Sequence, residues 1–445
     1  MAIASDLARA GLTGGADATG TGPTATEAGG ASGGASGGSL ASCRSCDLRQ
    51  SYGPLPPGAA AQCRRCGDVL FRRPRVGLDV ALALALTALF LFLLANAYPL
   101  VTFELAGRSQ SGRLVSGVVG LYQEGYWELA ALVGFTTIVA PLLYLLGLLY
   151  VLIPLTLGRR YRATAPVFRA VVALAPWAMM EVYTLGILVA LIKLGDFGQV
   201  VPGVALYAFF CLTFAVAATN AHLDREAIWE RLAEAPVPKA RADADVGGLW
   251  ACAVCDLLVR PLGEDEAGAC PRCGAALRRR KANSLARTWA LLISGYVLYV
   301  PANLFPVMVI VSFGKQETST IFAGVVELAQ GGMLPIAILV FCASIAIPIL
   351  KLVSLTVVAA SVQFRWRWRP AARTRLYRLV EGIGRWSMID VFVISILVAL
   401  IQLERVATIE PSLGAFCFAA VVILTMFAAM SFDPRLIWDR WEEKK

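Results

Sequence analysis

Eight runs of apolar residues, each near the ~20 that a helix needs to cross a hydrocarbon core, confine this 445-residue chain to a lipid bilayer. They read as Leu78 to Pro99, Leu129 to Leu157, Val171 to Leu194, Pro202 to His222, Leu285 to Pro306, Leu334 to Val362, Trp386 to Leu403 and Pro411 to Ser431. Only 16% of the residues are charged against 58% hydrophobic, and the mean hydropathy is +0.66, a balance outside the soluble range. The second and sixth runs exceed the thickness of the core, so tilt or a kink is expected, with Pro141 and Pro348 as the kink sites.

The basic residues set an expected orientation. Arg159, Arg160, Arg162 and Arg169 lie between runs two and three; Arg365, Arg367, Arg369, Arg373, Arg375, Arg378 and Arg385 lie between runs six and seven. The opposite loops are poor in Lys and Arg and carry Glu104, Glu124, Glu317, Glu404 and Glu410, so the positive-inside rule places both termini in the cytoplasm. This bias and the flanks of the cysteine modules account for a net charge of +9 without a nucleic-acid partner. Residues 1–41 are a Gly/Ala/Ser-rich stretch whose composition predicts a disordered tail, with no secretory signal before the first run.

The two halves align at an offset of 207 to 209 residues: "ANAYPL" from Ala95 with "ANLFPV" from Ala302, Pro141 with Pro348, "LDREAIWER" from Leu223 with "FDPRLIWDR" from Phe432. Each unit is a cysteine module followed by four helices. An even number of crossings returns the chain to its starting side, so the expected fold is an all-α polytopic membrane protein of eight helices in two parallel four-helix repeats. The expected domains are a first module at 42–75, a first membrane repeat at 76–231, a linker at 232–248, a second module at 249–281, a second repeat at 282–440 and a tail at 441–445.

The modules are Cys43-x-x-Cys46 with Cys63-x-x-Cys66, and Cys252-x-x-Cys255 with Cys270-x-x-Cys273. Two such knuckles give a tetrahedral sulfur shell of the zinc-ribbon or rubredoxin-like kind, with Gly67 and Gly274 suited to the turn under the second knuckle. Two zinc ions are the expected cofactors, with iron as the alternative. A reducing compartment argues against disulfides, and a closed four-cysteine site leaves no position for substrate, so no enzymatic role is expected. Cys211, Cys342 and Cys417 read as small buried residues. No phosphate-binding G-x-x-x-x-G-K-[ST] loop occurs; "SFGKQETST" at Ser312 lacks its first glycine. The single histidine, His222, ends a run and has no catalytic partner set around it.

From Cys43 onward the chain resembles the paraquat-inducible protein A family of bacterial inner-membrane proteins. The resemblance is carried by the paired CxxC modules, by Asn96 to Pro99 and Asn303 to Pro306, by the Trp-x-Met-x-acid-Val pattern at Trp177 and Trp386, and by "FDPRLIWD" at Phe432. It implies an inner-membrane subunit that loads or unloads phospholipid or another hydrophobic molecule to a periplasm-spanning MCE partner. A membrane-anchored redox or metal sensor and a stand-alone small-molecule exporter are the rival readings.

Ionisable residues inside spans are functional candidates. Asp390 lies five residues past Arg385, roughly 7 Å of helix. Lys351 lies at comparable depth on run six, so a Lys351–Asp390 pair with Ser354 and Ser387 as hydrogen-bond partners is expected, either binding a headgroup, relaying protons or locking two helices. Glu181 is the first-half equivalent of Asp390, but Tyr144 stands where the second half has Lys351. Lys193 reads as a snorkelling interfacial residue. Asn96 and Asn303 read as helix-terminating groups beside Pro99 and Pro306, or as contacts for a periplasmic partner.

Overall fold

The computed structural model describes residues 39–105, 108–159, 161, 163–195, 199–233, 248–260, 268–312, 315–332, 334–400, 402–403 and 407–442. Most of the tail at 1–41, most of the linker at 232–248 and the last residues of 441–445 lie outside them, as do Arg160, Arg162, Glu404 and the side chain of Lys193.

Seven helices among the described residues are long and apolar enough to cross a membrane: Leu78–Ala97, Trp127–Thr156, Val204–His222, Ser284–Leu304, Ala337–Gln363, Pro370–Leu400 and Leu413–Ser431. The third expected run is the exception. It is split into Thr164–Leu174 and Met180–Gly195. Pro176 has no N–H for the ladder, and the amides of Trp177 and Ala178 both turn back to the Leu174 carbonyl. The corresponding residue in the second half is Arg385, which can donate. There the break is only a 3-10 turn, Gly384–Met388, between Pro370–Ile383 and Ile389–Leu400. Much of the Arg-rich stretch read as loop is therefore helix.

Pro141 and Pro348 do not kink their helices simply. Each follows a π-helical turn, Phe135–Val139 and Cys342–Ala346, where Ala140 and Ile347 bond the carbonyls five residues back. The wide turn precedes the residue that cannot donate, and Thr136 and Thr137 return hydroxyls to the Leu132 and Val133 carbonyls.

The fold is not all-α. The loops after the first and fifth runs are hairpins, Val101–Leu105 with Arg108–Gly112 and Met308–Ser312 with Lys315–Ser319. Gln199–Pro202 joins the first to make a three-stranded antiparallel sheet; Ala407–Pro411 and Gln402–Leu403 extend the second to four strands. Side-chain alternation explains the first hairpin: Val101 and Phe103 are buried, and Glu104 between sheet and solvent is exposed.

Ile389–Leu400 is the centre of the molecule. Every residue from Val391 to Leu400 is buried, against Met180–Gly195 and Leu114–Gln123 of the first half. Glycines allow this approach: a Cβ on Gly117 would lie 2.6 Å from the Ser395 hydroxyl, and one on Gly186 would lie 3.1 Å from Phe392 Cβ. Cys417 is buried, whereas Cys211 and Cys342 are exposed on span surfaces. In a bilayer that surface meets acyl chains, which a small apolar thiol tolerates as well as a core does.

Candidate metal centres and the buried lysine

All four CxxC turns close in the same way. The amide of the first cysteine donates to the carbonyl five residues on, at 3.0 Å for Cys43, 2.7 Å for Cys63, 2.9 Å for Cys252 and 2.8 Å for Cys270. The residue after the second cysteine takes the left-handed conformation: Asp47 (φ 58), Gly67 (φ 72), Asp256 (φ 57) and Gly274 (φ 69). Sequence reasoning found the glycines and missed the aspartates, which also tolerate this region and occupy the same place in the spacing.

In each module the four Sγ atoms lie within 4.8 Å of one another, and all eight cysteines are buried and unlinked by disulfides. The closest pairs are Cys43–Cys66 and Cys46–Cys63 at 3.5 Å, and Cys252–Cys273 at 3.5 Å. A tetrahedral ion with metal–sulfur bonds of about 2.3 Å needs sulfur separations near ~3.8 Å. The donor sets therefore fit a metal ion. Hydrogen bonding from Cys43 and Cys46 holds the Cys66 thiol well below the usual thiol range, while bonding to Cys43 and Cys66 pushes Cys46 up. Four crowded thiols cannot all ionise unless a cation offsets the charge.

The modules are fastened to each other and to the helices. The Arg44 guanidinium forks onto Asp256, with Nε to Oδ1 at 2.5 Å, and Arg49 donates to the Leu249 carbonyl at 2.7 Å. The first module sits against the second half of the chain. Arg378 donates to Asp68 at 2.9 Å and to the Cys66 carbonyl at 3.2 Å, Arg280 pairs with Asp47 at 2.8 Å, and the Arg65 guanidinium lies 4.7 Å over the Trp438 ring. Its cysteines join one buried cluster with Leu292, Leu352, Tyr377 and Trp438. The second module touches the first half, where Gly274 abuts the Arg169 guanidinium.

Asp433, in the "FDPRLIWD" stretch, fixes the last span to the fifth. Its carboxylate accepts from Arg435 Nε at 3.0 Å and from the Lys281 amide at 3.1 Å, while its own amide donates to Ser284 Oγ at 2.9 Å. Burial pushes its pKa up, but the Arg435 bonds outweigh that and the net shift is downward. A lowered folded pKa stabilises above the unfolded value of ~4 and ceases to do so as pH falls through the folded one. Asp433→Asn should cost about 3 kcal/mol at neutral pH, since it strands Arg435 beside a neutral group. Thermal unfolding in detergent is expected to show the difference from the unsubstituted protein shrinking below pH ~4.

Lys351 is 1% exposed inside the span Ala337–Gln363. Its ammonium donates to the Gly384 carbonyl at 3.1 Å and reaches the Ser387 hydroxyl at 3.5 Å, both in the 3-10 turn. The expected ion pair is not formed: no Lys351–Asp390 contact within 4 Å occurs among the described residues, because the tightened turn offers its own carbonyl first. Ser354 is buried without a bond to Lys351 among those residues, and Asp390 is half-buried one turn further along. Ser344, two helical turns before Lys351, is buried with no hydrogen-bond partner for its hydroxyl among the described residues. In the first half the Tyr144 hydroxyl donates to Asn220 at 2.5 Å, and Glu181 is exposed in the first turn of its helix.

Asn96 and Asn303 turn back onto the carbonyls of Phe92 (2.8 Å) and Tyr299 (2.9 Å) as their helices end. What the sequence did not reveal is the partner of the turns that follow. The Gly203 amide donates to the Leu100 carbonyl at 3.0 Å and the Gly414 amide to the Pro306 carbonyl at 3.1 Å, so each fourth helix starts on the Asn-x-aromatic-Pro turn.

The model of the family described as paraquat-inducible protein A matches residues 78–233 and 285–442. The chain is 35% identical to "Intermembrane transport protein PqiA" of Escherichia coli K12, covering 91% of this chain and 96% of that protein. It is 34% identical to "Lipophilic envelope-spanning tunnel protein A" of the same organism (90% and 91% covered), and 26% identical to a "Probable intermembrane transport protein" of Haemophilus influenzae (91% and 96%). No solved structure matches. With both membrane halves matched and about nine-tenths of the sequence aligned to such relatives, this multi-pass membrane chain belongs to the paraquat-inducible protein A family.

Proposed function

We propose that the chain is the inner-membrane subunit of a lipid-transport system, loading or unloading phospholipid or another hydrophobic molecule to a periplasm-spanning MCE-domain partner. The observation that carries this is the near full-length likeness to proteins named for intermembrane transport and for an envelope-spanning tunnel. Two parallel four-helix repeats, with termini and modules in the cytoplasm, form the scaffold. Zinc in both modules is structural: the closed, buried sulfur shells leave no open position, which argues against catalysis and against a redox sensor.

Lys351, buried in a span at the 3-10 turn that precedes Asp390, is the group through which transport is coupled to a proton or to an anionic headgroup. Lys351→Met retains the stem and removes the charge, so folding and membrane insertion should persist. Cells lacking the chain and complemented with Lys351→Met or Asp390→Asn are expected to lose outer-membrane protection at least tenfold while the protein accumulates normally. Full protection by both variants would remove these residues from the mechanism.

A further inference from the structure

The turn between the spans Ala337–Gln363 and Pro370–Leu400 reads "FRWRWR", Phe364 to Arg369, and every one of its residues is exposed. Phe364 is 69% exposed, Trp366 46% and Trp368 60%, so three large rings are left out of the core. Arg365, Arg367 and Arg369 alternate with them, and their guanidinium groups have no hydrogen-bond or ion partner among the described residues. No acidic residue occurs between Glu327 and Glu381. This six-residue link joins two helices long and apolar enough to cross a membrane. Its end of the molecule is that of the metal modules, since Arg378 of the following helix binds Asp68.

Folding does not require arginine here. The helix ends with Trp366 bonding the Ser361 carbonyl at 2.9 Å, which puts Arg365 in the left-handed region (φ 54). The corresponding turn of the first half makes the same bond, Arg159 to Pro154 at 2.8 Å, and has Gly158 at that place (φ 68), as the conformation favours. The first-half turn also exposes Leu157 and Tyr161 beside Arg159, so rings or branched chains next to arginine recur at both links. In the second half the chain keeps an arginine at a strained backbone position and leaves aromatic rings exposed beside it.

We propose that Phe364–Arg369 is a binding site for anionic phospholipid headgroups in the leaflet on the metal-module side. The arginines meet the phosphates and the rings sit among the carbonyl and upper acyl groups. This requires that the two helices cross a bilayer with the link at its surface, and does not depend on the transport reading.

The full-length protein in detergent can be titrated with phosphatidylglycerol or phosphatidylcholine and its bound lipid counted by native mass spectrometry. Arg365→Gln/Arg367→Gln/Arg369→Gln should weaken phosphatidylglycerol binding by about fivefold for each arginine, with phosphatidylcholine binding unchanged. Arg365→Gly separates this from folding: it should raise thermal stability while weakening phosphatidylglycerol binding about fivefold. Unchanged phosphatidylglycerol affinity in either variant, or equal loss of both lipids, would overturn the proposal.

Discussion

Full-length protein carrying Cys66→Ser is expected to bind one metal ion where the unsubstituted chain binds two, and to expose residues 39–72 to protease. The first module has little apolar core of its own, so a bound ion would supply most of its folding free energy, on the order of 10 kcal/mol for a structural zinc. The Cys66 carbonyl and the adjacent Asp68 carboxylate both accept from Arg378, so loss of the knuckle also releases a helix of the second half. Cys270→Ser should empty the other module alone. Cys211→Ser, on an exposed span surface, should leave both ions in place. Metal analysis with limited proteolysis reads all three; two ions retained by Cys66→Ser would refute the assignment.

Gly203→Val is expected to reduce the amount of folded protein in the membrane severely. A Cβ there would stand 2.1 Å from the Pro99 carbonyl oxygen, and one on Gly414 would stand 2.5 Å from that of Pro306. These neighbours are backbone, fixed by the turn and by the Gly203–Leu100 and Gly414–Pro306 hydrogen bonds, so they cannot swing aside as a side chain could. Overpacking of this kind costs about 3 kcal/mol or more. Gly382→Ala, in a helix with nothing within 4 Å, should be neutral or gain about 1 kcal/mol. Membrane yield and thermal unfolding in detergent distinguish the two; equal stability of Gly203→Val and Gly382→Ala would contradict the close approach.

The apolar runs were legible because a span must satisfy its own backbone and show lipid an apolar surface, constraints that act locally on each segment. Pro176 shows the limit. It lies in a run as apolar as its neighbours, and one missing donor divides the helix. The hairpins at Val101 and Met308 were missed because short strands beside hydrophobic runs leave only a few alternating residues to read. Asp47 and Asp256 were missed because glycine is the usual sign of a left-handed turn.

The sequence by itself determined the membrane class, the two four-cysteine sets and the family, all of which depend on spacing or composition along the chain. Only the tertiary structure decided what those pieces touch. It set the first module against the second half, buried Ile389–Leu400 between elements of the first, and gave Lys351 the Gly384 carbonyl in place of Asp390. Helical depth can match two charges on neighbouring spans, but rotation about the helix axis and the course of the intervening turn select the partner. Neither is encoded in the spacing.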